Sequence, residues 1–230
     1  MKTLGLIGGI SWVSTTEYYR HINEGINLKL GGLNFAQCII HSFNYADIVH
    51  NNETNNWKST LNMITNASLN LKQSGADAIL LCANTMHKIA DELEQNIQLP
   101  VINIATETAR EIECKGLKTV GLLGTKFTME LDFFKDKLTQ HGIKTLIPGD
   151  EDRAFIHHTI ADELGKGIFK PETKERYLSI IDQLIAAGAE GVILGCTEIP
   201  LLISNHDTPG TLFDTMLIHS KAAVKFALGN

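Results

Sequence analysis

The residues best suited to chemistry stand late in the chain, at Cys196-Thr197-Glu198, directly after the apolar run Val192-Ile193-Leu194 and Gly195. A thiol has a pKa of about 8.5 in water and becomes a proton acceptor near neutrality when a helix N-terminus or a cation lowers that value. Thr197-Glu198-Ile199-Pro200 reads as a helix start, with Pro200 fitting the first turn, so Cys196 is the candidate acid/base. The bland reading of a lone cysteine is a small buried hydrophobe, and it is kept for Cys38 and Cys114. Asn84, Thr85, Thr125, Thr128 and Thr197 supply amide and hydroxyl donors that suit a small carboxylate ligand. Taken singly, each reads equally well as a helix cap.

The motif has a partner. Gly75-Ala76-Asp77-Ala78-Ile79-Leu80-Leu81-Cys82-Ala83-Asn84-Thr85 aligns without a gap on Gly188-Ala189-Glu190-Gly191-Val192-Ile193-Leu194-Gly195-Cys196-Thr197-Glu198. Lys2-Thr3-Leu4-Gly5-Leu6-Ile7-Gly8-Gly9 likewise recurs as Lys118-Thr119-Val120-Gly121-Leu122-Leu123-Gly124-Thr125. Two matches in the same order argue for two halves built alike. Only the second half has the thiol, since Ala83 falls opposite Cys196 and Cys82 falls opposite Gly195. Side chains alternate along a strand, so Cys82 faces away from whatever Ala83 faces. Ala83 therefore marks the place of a missing second base, with Cys82 the weaker candidate to replace it.

The elements that must hold these residues alternate. Expected strands are Thr3 to Ile7, Gln37 to His41, Ala78 to Leu81, Val101 to Ile104, Thr119 to Leu123, Thr145 to Ile147, Gly191 to Leu194 and Thr211 to Phe213. Between them run helix patterns: Thr15 to Leu30, Trp57 to Gln73, His87 to Gln95, Thr106 to Lys115, Met129 to His141, Ala154 to Leu164, Glu172 to Ala186 and Thr215 to Leu228. Continuous apolar strands separated by helices give parallel sheets covered on both faces. The expected fold is α/β, with two similar four-stranded parallel-sheet domains related by pseudo-two-fold symmetry. The halves are 1-115 and 116-214, and the last helix, 215-228, is free to return to the first. Ligands of such sheets bind beyond the carboxyl ends of the strands, so the active site is expected in the cleft between the halves.

Composition excludes several partners. The chain has 230 residues, a net charge of −6, 43% hydrophobic residues and scattered Lys and Arg, which leaves no basic stripe for nucleic acid. No apolar run reaches the ~20 residues of a membrane span. The four cysteines show no Cys-x-x-Cys spacing and Met1-Lys2-Thr3 leads straight into a strand pattern, so a cytoplasmic location with reduced thiols is expected. Gly5-Leu6-Ile7-Gly8-Gly9 is not a dinucleotide fingerprint. His157 and His158 diverge on a helix and no H-E-x-x-H is present, so no metal is expected; His87 and His219 could approach the cleft, one of them orienting a ligand, with surface histidine the blander reading.

Gly8-Gly9-Ile10-Ser11-Trp12, Asn84-Thr85-Met86-His87, Gly124-Thr125 with Thr128, and Gly195-Cys196-Thr197-Glu198 together resemble the aspartate/glutamate racemase family, nearly end to end. The resemblance implies a homodimeric enzyme of two domains without pyridoxal phosphate or any other cofactor. In symmetrical members two cysteines face each other across the substrate α-carbon. It implies that Cys196 is one such thiol, that Asn84, Thr85 and Thr197 hold the α-carboxylate, and that Thr125, Thr128 and Ser11 assist. Glu198 completes the motif and joins the substrate-binding set. Asn52, after the second strand, and Lys166, within Gly165-Lys166-Gly167, are its counterparts for an acidic side chain, or else solvated loop residues. Ala83 departs from the two-cysteine pattern. The expected activity is racemisation of aspartate or glutamate; the alternatives are a single-thiol lyase or isomerase of a dicarboxylate and a non-catalytic binder of an acidic amino acid.

Overall fold

In a computed structural model that describes residues 1–229, the chain forms two compact units. The first contains Met1–Asn103 and the chain from His219 onward. Its order is β1 (Leu4–Gly8), α1 (Trp12–Leu30), β2 (Cys38–Ser42), α2 (Tyr45–Glu53), α3 (Trp57–Gln73), β3 (Ala78–Leu81), a 3-10 turn over Asn84–Ile89, α4 (Ala90–Ile97) and β4 (Val101–Ile102). The second, Ile104–Ile218, begins with α5 (Ile104–Cys114), β5 (Thr119–Gly124), α6 (Lys126–Glu130), α7 (Asp132–Gln140) and β6 (Lys144–Leu146). It continues through α8 (Asp150–Asp162), a 3-10 turn over Leu164–Lys166, α9 (Pro171–Ala186), β7 (Gly191–Gly195), α10 (Ile199–Leu202), β8 (Thr211–Asp214) and the first turn of α11 (Thr215–Leu228).

Both sheets are four-stranded and wholly parallel, ordered β2-β1-β3-β4 and β6-β5-β7-β8. The acidic residue of each Gly-Ala-acid turn shows why the repeat folds alike. Asp77 accepts the backbone N–H of Thr3 at 2.7 Å, and its own N–H donates to the Thr3 carbonyl at 2.8 Å. Glu190 accepts the N–H groups of Lys118 and Thr119 at 2.6 and 2.7 Å, and its N–H donates to the Thr119 carbonyl at 2.8 Å. One acid per unit thus fixes the register of the two central strands at their start.

Strand parity then decides what each residue faces. Ile79, Leu81 and Ala83 pack in one core with Ile64, Leu71, Leu93 and Ile97 of α3 and α4. In the second unit Val192, Leu194 and Cys196 pack with Ile156, Tyr177 and Ile181 of α8 and α9, while Ile193 faces Ile112 and Phe134 of α5 and α7. Ala83 and Cys196 share a parity. Cys82 takes the opposite one.

Several boundaries differ from expectation for packing reasons. The break between units falls at 103/104 rather than 115/116, because Ile104, Ala105, Ala109 and Ile112 belong to the core of the second unit. Helix α11 is divided, 215–218 with the second unit and the remainder with the first. Strand β4 ends at Ile102, where the chain turns into α5. The single helix expected over Met129 to His141 is two, starting at Lys126 and interrupted at Leu131, whose ψ of 157° is extended. The segment after β2, read as loop, forms α2 and buries Ile48, Asn51 and Asn52. Among the described residues no helix is long and apolar enough to cross a membrane.

Candidate active site

At the carboxyl end of β7 the chain approaches its neighbours closely. A Cβ on Gly195 would lie 2.6 Å from the Leu123 carbonyl oxygen, so only glycine fits where the strand delivers Cys196. Cys196, Thr197 and Glu198 are all buried. The Cys196 thiol donates to Glu198 Oε2 at 2.9 Å, and the Thr197 hydroxyl donates to the same oxygen at 2.9 Å. Glu198 Oε1 has no hydrogen-bond partner among the described residues.

This geometry reverses the electrostatics expected of a helix start. Burial, then the Glu198 charge and its hydrogen bond, hold the thiol well above the ordinary cysteine range, and the backbone N–H groups of Glu198 and Thr197 oppose them only in part. Helix α10 spans four residues, too short to outweigh an adjacent carboxylate. At rest Cys196 is a neutral thiol beside a proton acceptor. The Thr197 hydroxyl directs its hydrogen to Glu198.

The other residues of this end form a helix cap, a buried contact and an ion pair. Thr125 caps α6, accepting the Thr128 N–H at 3.3 Å, and its hydroxyl lies 3.3 Å from that of Thr128. Thr128 is fully buried against Gly124 and Gly195. Lys166 lies in the 3-10 turn, exposed, and pairs with Asp162 at 3.3 Å.

The carboxyl end of the first sheet repeats the framework without the thiol. Ser11 caps α1, accepting the Ser14 N–H at 3.5 Å, as Thr125 caps α6. The Gly9 N–H donates to the Thr15 hydroxyl at 2.9 Å, and Gly9 has a φ of +78° with Phe43 backbone pressed against it. Ser14 donates to the Cys82 carbonyl at 2.8 Å, fixing the end of β3. Ala83 is extended, and Asn84 and Thr85 follow it, buried, into the 3-10 turn. Cys82 is completely buried, and burial raises its thiol far above the usual range. Its Sγ finds only the Leu80 carbonyl, 4.0 Å away, on its own strand. Asn52 is buried on α2 one turn beyond Ile48, which packs in the core that contains Ala83, and its Oδ1 has no hydrogen-bond partner among the described residues.

Two residues read as surface histidines are interior. The N–H at His219 Nε2 donates to the Ile102 carbonyl at 2.7 Å, so Nδ1 accepts the Tyr18 hydroxyl at 2.8 Å. Burial lowers the His219 pKa to about 4. His87, on the turn that carries Asn84 and Thr85, donates from Nε2 to the Leu81 carbonyl at 3.2 Å. Its ring centroid is 5.3 Å from that of His219, and burial and that neighbour hold its pKa well below the usual value. The sequence signal was present for His87, in Asn84-Thr85-Met86-His87. Nothing local marked His219 or Tyr18, which meet it only in the folded unit. Among the described residues no group of three or more His, Cys, Asp or Glu side chains is placed to hold a metal ion.

Known proteins match the chain in sequence and in fold. The Asp/Glu/Hydantoin racemase family model matches residues 7–223. A crystal structure from Yersinia pestis, provisionally an Asp/Glu racemase, is 42% identical with a TM-score of 0.92, covering 99% of this chain and 100% of that one. An aspartate racemase homologue from Pyrococcus horikoshii OT3 is 34% identical with a TM-score of 0.86 over 99% and 100% of the two chains. The broad specificity amino-acid racemase of Bacillus subtilis is 24% identical over 161 residues, 70% of this chain and 69% of that protein.

Proposed function

Because the chain belongs to the Asp/Glu/Hydantoin racemase family, and is therefore of an isomerase family, we propose that it racemises an acidic amino acid, aspartate or glutamate, by cofactor-independent proton transfer at Cα. The observation that carries this reading is the thiol of Cys196, buried at a strand end and hydrogen-bonded to Glu198 at 2.9 Å. A neutral thiol cannot remove a Cα proton; the pair can. The thiol proton moves to Glu198 Oε2, leaving thiolate and carboxylic acid with one negative charge between them. The thiolate then takes the Cα proton and is a thiol again, while the electron pair is left on the substrate as a carbanion delocalised into its carboxylate. Protonation by water from the opposite face gives the inverted amino acid and a hydroxide, which the Glu198 proton neutralises.

Asn84 and Thr85 hold the α-carboxylate in this reading, Ser11, Thr125 and Thr128 shape the loops that carry the site, and Asn52 and Lys166 serve the substrate side chain. The functional protein is a cytoplasmic homodimer that takes a small-molecule acidic amino acid and neither nucleic acid nor membrane. Ala83 leaves the far face without a side-chain base, because a group on one side of a planar carbanion cannot protonate the other side without reorienting. Exchange faster than inversion follows. The same substitution favours a second reading, a one-face lyase or isomerase of a dicarboxylate.

Incubating L- and D-aspartate and L- and D-glutamate separately in deuterated water tests the assignment. Cα deuteration with inversion supports racemisation, and deuteration without inversion moves the chain to one-face chemistry. Absence of exchange with all four substrates removes the reading altogether.

A further inference from the structure

We infer that Thr197 Oγ1 and Glu198 Oε1 bind the α-ammonium group of the substrate, and that the end of β7 is an amine site, not a carboxylate site. The inference rests on the racemase reading above and assigns one substrate group within it. Its basis is donor bookkeeping. A hydroxyl has one hydrogen, and that of Thr197 is directed at Glu198 Oε2. Towards a ligand Thr197 therefore presents only lone pairs, which accept from an N–H and repel a carboxylate oxygen. Glu198 is 4% exposed, and its Oε2 takes both local donors while Oε1 takes none. Oε1 is reachable rather than sealed in the interior, and its lone pairs are open to an arriving donor. An ammonium group carries three donors and a positive charge, enough to meet the Thr197 lone pairs and Glu198 Oε1 together.

Charge points the same way. A substrate carboxylate placed on Thr197 would sit beside the Glu198 carboxylate, whereas a cation there is attracted to it. The cation also offsets the charge that helps to hold the Cys196 thiol neutral. Binding of an amine-bearing ligand therefore lowers the proton affinity of Cys196 together with that of Glu198, so the thiolate becomes easier to form at this site. A ligand with the same carboxylates and no amine lacks that effect. Retaining the amine as ammonium also makes the adjacent Cα–H more acidic, which is what proton abstraction without a cofactor requires.

The test measures binding of aspartate and of succinate, its analogue without the amine, to the full chain by calorimetry. Thr197→Val keeps the shape and removes the lone pairs; Thr197→Ser keeps them and serves as the control for folding. Expected is a loss of about tenfold or more in aspartate affinity for Thr197→Val, as for one hydrogen bond to a charged group. Succinate affinity is unchanged, and Thr197→Ser binds both as the wild type does. Equal loss of aspartate and succinate affinity in Thr197→Val overturns the inference and returns Thr197 to the carboxylate. Unchanged affinity for both also overturns it. Failure of the wild type to bind either ligand removes the acidic-substrate reading and this inference with it. As a second readout, thiolate absorbance, taken as the difference from Cys196→Ser, should rise on adding aspartate and not succinate.

Discussion

The turn after β3 and the turn after β7 leave equivalent strands of two sheets with the same order, and they differ by one functional atom. In both units a serine or threonine caps the helix that follows the first strand, Ser11 in one and Thr125 in the other, and a buried threonine, Thr15 or Thr128, packs on the glycines of the strand ends. In both, an acid at the opposite end clamps the first strand, Asp77 or Glu190. Yet the second turn presents a thiol hydrogen-bonded to a carboxylate, and the first presents the methyl of Ala83. The framework has been kept where the chemistry has not. Such a pair separates what holds a reactive group from the group itself.

The comparison is broken most severely by Cys196→Ala. If the second unit alone carries proton transfer, Cα deuterium exchange falls by about 10²–10⁴-fold, while the fold, judged by circular dichroism, is retained. Exchange at the wild-type rate in this variant would falsify the assignment of the base.

Acid should then separate the units. The folded His219 pKa of about 4 lies below its ordinary 6.5, and His87 is lowered too. A depressed histidine contributes stability that is present above the ordinary value and lost as pH falls through the folded one. The window is pH 6.5 to about 4, and for His219 the loss is on the order of 3 kcal/mol. Amide hydrogen exchange at pH 7 and pH 5 should show residues 1–103 losing protection before 104–218. Equal loss in both would show that the buried pair does not set the acid response.

Ala83→Cys sharpens the comparison by restoring its missing member. The extended backbone of Ala83 and its shared parity with Cys196 accept a thiol at this position. Inversion should rise by about 10²-fold relative to exchange, read from deuterium incorporation against optical rotation. No rise would put the second base elsewhere.

Glu198→Gln removes the charge and the acceptor that raise the Cys196 thiol. Its ionisation should move down in pH, and alkylation of Cys196 near neutrality, followed by mass spectrometry, should speed up about tenfold. Racemisation should slow, since the thiol proton has lost its destination. The smallest effect belongs to Cys82→Ala. With its thiol on the opposite parity from Ala83, exchange should be unchanged and stability should fall by about 1 kcal/mol. A large loss of activity would make Cys82 the second base.

Much of this was legible in the chain. The eight apolar runs announced the strands, because strands covered on both faces must be continuously apolar. The ungapped repeat placed Ala83 opposite Cys196, and the two-residue alternation of a strand set Cys82 aside before any coordinates. Other features were hidden. Helix α2 has weak amphipathic patterning, and Asn51 and Asn52 look like turn residues until Ile48 is seen packed in the core. Leu131 carries no breaker, yet its extended conformation divides two helices.

The sequence by itself determined the repeat, the parallel α/β class and the place of Cys196 at a strand end opposite Ala83 in the repeat, since these depend on spacing and side-chain alternation. Only the tertiary structure decided the state of that thiol. Whether Cys196 is thiol or thiolate depends on its burial and on Glu198 turning back to within 2.9 Å. The same holds for His219, which lies 201 positions from the tyrosine that bonds it. Local spacing carries no information about solvent exclusion or such distant partners, and these are what set the proton affinity of a buried group.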